Sequence, residues 1–207
     1  MIRKFQMFMP ALIAAFALSA LMASVAGAQF TSDKEHTVFS GSQLEAYKYN
    51  PGPGFATISC TTVSFSGTAV SKSETTLTFA PTFSSCKDSL GRILHVTTKG
   101  YTYTFTSGAG KGTMHVNGEI VITTTGSGTH CTLTMKAQAN NGISYVNLGG
   151  TKGFELKTAT TNVHTTASGG FFACGSMSTT LTGGTRAGRM LITGKDTGGN
   201  AATISVD

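Results

Sequence analysis

The chain has 207 residues, a formal charge of +6, only 12% charged residues, 26 glycines and no tryptophan. Its lysines and arginines are scattered singly, which excludes a nucleic-acid footprint, since that needs basic clusters interleaved with aromatics. The charged fraction is about half that of an ordinary soluble domain, and threonine, serine and glycine fill the gap. A surface of neutral hydroxyls suits an extracellular protein.

The first element is "MIRKFQMFMPALIAAFALSALMASVAGAQF". Arg3 and Lys4 give a cationic start, an apolar run extends from Phe5 to Val25, and Ala26-Gly27-Ala28 supplies the small residues a signal peptidase accepts. Cleavage before Gln29 is predicted. The competing reading is a retained anchor, because the run approaches the roughly 20 residues that span a bilayer. Pro10 interrupts it and no basic stop-transfer cluster follows, so the expected product is secreted or cell-surface and not an integral membrane protein. No cysteine lies at the cleavage point, which speaks against a lipid anchor.

Removing 28 of the 207 residues leaves 179, the size of one ordinary domain. Four cysteines remain: Cys60, Cys86, Cys131 and Cys174. An even count behind an export signal predicts two disulfides, with three possible connectivities. Cys60–Cys86 and Cys131–Cys174 are favoured because each pair closes a loop within its own half of the chain. Each would contribute roughly 3–4 kcal/mol by restricting the unfolded state. Zinc is disfavoured, since no C-x-x-C pair exists.

Residues 29–55, which include "NPGPG", read as an irregular lead-in, with "LEAYK" (44–48) able to form one helical turn. From residue 56 onward the period is two. "TTLTFAPTF" (75–83), "YTYTFTS" (101–107) and "TLTMKAQ" (132–138) alternate threonine with an apolar partner, as strands with one buried face do. In "MHVNGEIVI" (114–122), Asn117-Gly118 reads as a type I′ hairpin turn. A second turn is expected near Asn140–Gly142, and "GFELKTATTNVHTT" (153–166) and "RMLITG" (189–194) are further strands. This spacing predicts an all-β fold, an antiparallel β-sandwich or barrel-like domain over residues 56–207, with two related halves (56–125 and 126–207) as a possible subdivision.

"GAGKGT" (108–113) invites a nucleotide-binding reading. That loop needs a glycine five residues before Gly110-Lys111, where Phe105 stands, and a helix after the lysine. Strand alternation follows instead, so no nucleotide is expected and "SGAGKG" reads as a hairpin loop.

Catalytic groupings are sparse. His36, His95, His115, His130 and His164 lie on separate runs, and a metal would need three or four ligands to converge. A hydrolase would need carboxylates such as Glu119, Glu155 or Asp196 beside a histidine. Tyr101, Tyr103 and Tyr145 could stack on a sugar, although core packing is the commoner use. Ser176 in "ACGSMS" lacks the elbow of a serine nucleophile. No catalytic, metal or cofactor residues are assigned, and no cofactor is expected.

"ISCTTVSFSGTAV" (58–70), "FAPTFSSC" (79–86), "CTLTMKAQANNGISYVNLG" (131–149) and "GGTRAGRMLITGKDTGG" (183–199) together resemble a group of short, secreted bacterial β-rich proteins with four cysteines and no known function. The resemblance covers most of the chain after the leader. It implies secretion and β structure, and it carries over no site residues. The expected role is a non-enzymatic extracellular or cell-surface domain with a structural, adhesion or binding function. Its expected partners are cell-envelope or matrix components, or further copies joined through open sheet edges. The alternative is a secreted hydrolase with an atypical acid/histidine site.

Overall fold

The computed structural model describes residues 28–108, 110–124, 130–169 and 179–207. Residues 1–27 of the expected leader lie outside the described residues, as do Cys174 and Ser176. Thirteen strands run in chain order: β1 (Phe30–Ser32), β2 (Thr37–Asn50), β3 (Ile58–Ala69), β4 (Ser73–Glu74), β5 (Thr76–Asp88), β6 (Ile93–Thr106) and β7 (Lys111–Thr124), then β8 (Cys131–Met135), β9 (Gln138–Asn147), β10 (Phe154–Gly169), β11 (Thr179–Lys195), β12 (Ala201–Ala202) and β13 (Ile204–Val206).

Each long strand pairs antiparallel with the next. β8 and β9 act as one interrupted strand, both lying between β7 and β10. β11 then returns to β2, from Thr185 opposite Asn50 to Lys195 opposite Val38, and closes an eight-strand barrel. The expected all-β, barrel-like fold is what forms. Closure pairs almost every ladder group and removes the long free edges on which strand addition depends. Among the described residues, the strands left at the ends of the sheets include the short β4, β12 and β13.

The alternation seen in the sequence decides which face is inside. Leu77 and Phe79 on β5, Tyr101, Tyr103 and Phe105 on β6, and Met114 and Val116 on β7 point inward and are buried. Thr76, Thr78 and Thr82 on β5 face outward. Eight strands leave an interior just wide enough for side chains to fill, and a phenylalanine layer fills one half of it. Phe79 packs edge-on against Phe39, Phe65 and Phe105, with ring centroids 5.8–6.4 Å apart. A three-stranded sheet, β13-β1-β4, caps this end. There Phe30 packs against Tyr145 and Phe154, and Asp207 N–H donates to the Gln29 carbonyl.

Four local expectations are corrected. Asn117-Gly118 is not a turn, because β7 runs straight through it. Gly118 has φ 74° and lies opposite a bulge in β6, where Gly100 (φ 58°) and Tyr101 together face this one residue. The positive φ that marks a hairpin turn serves equally at a bulge, and the Cβ of any other residue would collide with the Gly100 carbonyl. Gly142, at φ 90°, likewise lies inside continuous β9. "LEAYK" is strand, and residues 29–55 are not irregular, since they hold β1 and the first barrel strand, β2. A register shift between Ser42 and Tyr47 breaks the period of β2 and turns Leu44 outward, which hid the strand. "SGAGKG", by contrast, joins β6 to β7, and Lys111 N–H donates to the Gly108 carbonyl at 2.7 Å.

The predicted Cys60–Cys86 disulfide is present, joining directly opposed residues of β3 and β5. Cys131 is also disulfide-bonded. Among the described residues, no helix is long and apolar enough to cross a membrane.

Candidate functional site

All nine acidic residues lie among the described residues, and each of the three singled out has its own surroundings. Glu119 on β7 pairs with Lys99 on β6, with 4.0 Å between charged atoms. Glu155 on β10 shares Arg189 with Glu45 on β2, both at 2.7 Å, in an ion network spanning three neighbouring strands. Asp196 lies in the turn after β11, where Asn200 side-chain and backbone N–H groups bond its carboxylate and hold its pKa below the usual range. The structure does not bring these three together. His36, His95, His115, His130 and His164 are all exposed, and no group of three metal-binding side chains forms among the described residues.

The tyrosines point inward. Tyr101, Tyr103 and Tyr145 are core residues rather than surface stacking platforms. Tyr145 Oη donates to the Thr106 carbonyl at 2.8 Å. Tyr101 Oη donates to Tyr103 Oη at 3.2 Å, and Tyr47 Oη lies 3.5 Å from the same oxygen.

The unexpected member of this group is Arg186, on β11. Its side chain is turned into the barrel and only 1% exposed. It stands opposite Tyr49 on one side and Thr160 on the other. One guanidinium nitrogen, Nη2, contacts Met135 Sδ, and Cζ lies 5.7 Å from the centre of the Tyr103 ring. Nε and Nη1 have no hydrogen-bond partner, and neither do Gln43 Oε1, Thr160 Oγ1 or the Asn140 amide. A concentration of unsatisfied polar atoms in one barrel interior is unusual, since nearly all buried polar groups find partners.

The energetics set this cluster apart from ordinary core. Burial opposes charge on Arg186, but the guanidinium stays protonated, since arginine keeps its proton even inside a protein. Burial also raises the tyrosines, Tyr49 and Tyr101 to about 12, so all remain neutral at ordinary pH. Two small voids of about 10 Å³ flank the cluster. One is lined by Gln43, Tyr47, Tyr103, Thr158 and Arg186, the other by Tyr49, Tyr101 and Met135 among others. Each has room for about one water-sized occupant.

Sequence reasoning passed over Arg186 because an arginine in a Gly-Thr-rich stretch reads as surface. The usable signal was phase: from Gly184 to Gly194 the inward positions are the even ones, and Arg186 shares them with Met190 and Ile192.

The outer wall is a second feature. Across β3, β5, β6 and β7, outward hydroxyls meet in cross-strand pairs: Ser64–Thr82 at 2.5 Å, Thr78–Thr104 at 2.9 Å and Thr106–Thr113 at 2.7 Å. Asn117 donates to Thr104 at 3.1 Å and extends the array.

No protein-family model matches this chain, and no curated protein or solved structure does either.

Proposed function

We propose that the chain is an exported, non-enzymatic β-barrel that works through its outer wall, as a binding or adhesive component of the cell surface. The observation that carries this reading is the hydroxyl array over β3, β5, β6 and β7, a rigid neutral surface of paired threonines and serines. Such a surface exchanges hydrogen bonds with the hydroxyls of a neutral envelope polysaccharide without first stripping water from charges. The cleavable leader, the low charge and the Cys60–Cys86 disulfide support an oxidising destination. The outward positions carry polar side chains and the inward ones aromatic and aliphatic side chains, the reverse of a membrane barrel.

The test is binding of the purified protein to isolated cell-envelope polysaccharide, compared with a Thr78→Lys/Thr104→Lys variant. Both positions face solvent, so the variant should keep its thermal midpoint and lose binding. A strictly monomeric protein that binds no envelope material contradicts the proposal, as does binding indifferent to the double substitution.

A further inference from the structure

We infer that Gln29 is a modification site: once cleavage frees its α-amine, the residue closes on its own side-chain amide to a pyroglutamyl ring, and Ser73 on β4 positions that amide. This rests on the cleavable leader proposed above, and two observations carry it.

The first is the identity and place of the residue. Ala26-Gly27-Ala28 puts the scissile bond before Gln29. Glutamine is the residue whose side-chain amide can close a five-membered ring on its own α-nitrogen. Gln29 is half-buried and docked at the start of β1, where its carbonyl accepts from Asp207 N–H at 2.9 Å. Its neighbour Phe30 pairs with Val206 on one side and Glu74 on the other. The new N-terminus therefore lies in the cap sheet.

The second is the hold on the amide. Ser73 Oγ donates to Gln29 Oε1. A donor on that oxygen draws electrons from Cδ and stabilises the negative charge that gathers on Oε1 as an amine attacks, the task of an oxyanion-hole donor.

The step is complete within one residue. The unprotonated α-amine attacks Cδ, the N–Cδ bond forms and the Cδ–Nε2 bond breaks. Nε2 leaves as ammonia with a proton from the attacking nitrogen, and nothing is oxidised or reduced. An α-amine ordinarily titrates at about 7.7–8.0, so the reactive form is present at neutral pH. The product suits the position. A lactam nitrogen is neutral, like the peptide nitrogen it replaces beside the ladder, whereas a half-buried ammonium must be partly desolvated. It also leaves no α-ammonium for an aminopeptidase at the outer end of β1, a strand only three residues long.

Mass spectrometry of the N-terminal peptide from protein isolated from its native host tests this. The peptide should begin at residue 29, weigh one ammonia less than its unmodified sequence, and resist Edman degradation until a pyroglutamyl aminopeptidase exposes Phe30. A second measurement tests Ser73. Purified protein cut at an engineered protease site just before Gln29 should lose ammonia on standing. Ser73→Ala, an exposed position on an edge strand, should slow this about two- to tenfold, the effect of one hydrogen bond. In urea, where that contact is gone, the two proteins should convert at one rate. A peptide beginning at Gln29 with a free amine overturns the inference and leaves the leader reading standing, whereas a chain beginning at another residue overturns both. Equal conversion rates in the folded proteins overturn the role of Ser73.

Discussion

Replacing both Cys60 and Cys86 by alanine tests how the barrel uses its cross-link. The two residues are opposed across β3 and β5, only 2% exposed, and 26 residues apart in the chain. Releasing a loop of that length returns about 3.5 kcal/mol of chain entropy to the unfolded state. The two missing sulfurs also leave a gap in a packed interior, whose cost comes on top. For a domain of this size the thermal midpoint should fall by about 7–14 °C. Urea unfolding followed by circular dichroism measures it directly. The urea dependence should also steepen, because the freed chain exposes more surface when unfolded. A loss below about 1 kcal/mol with an unchanged slope would refute the reasoning, since the disulfide would then contribute little beyond the β3–β5 ladder.

Gly118→Ala should destabilise the barrel by about 2 kcal/mol or more in the same urea assay, because φ 74° is strained for alanine and its Cβ meets the Gly100 carbonyl. Phe79→Ala should cost about 3–5 kcal/mol by emptying the centre of the phenylalanine layer. In alkaline titration no tyrosine should ionise near its ordinary value of 10 in the folded protein, since burial raises all five. These phenols bind their protons more tightly when folded. Their contribution is complete below about pH 10 and is lost as pH rises toward about 12 and beyond. Phenolate absorbance should therefore rise together with the loss of barrel circular dichroism, and phenolate appearing near pH 10 in an intact barrel would contradict this.

The strands were legible wherever one residue in two was apolar, as in "YTYTFT", because a half-buried strand permits no other pattern. β2 was missed for the same reason in reverse, since its register shift at Ser42–Tyr47 breaks the alternation over "LEAYK". Asn117-Gly118 shows the limit of turn chemistry: a left-handed glycine is required at a bulge as much as at a hairpin. Closure of β2 on β11 joins residues more than a hundred positions apart, and no local pattern encodes it. The Cys60–Cys86 pairing was legible from spacing, whereas the convergence of Arg186 with four tyrosines depends on which strands become neighbours across the barrel.

The central claim is that this is an exported barrel braced by disulfides, and the intact mass of the protein isolated from its native host tests it most directly. The account predicts a chain beginning at Gln29, four hydrogens lighter than its fully reduced form and unreactive toward thiol alkylation until reduced. A full-length chain carrying four alkylatable thiols would contradict it.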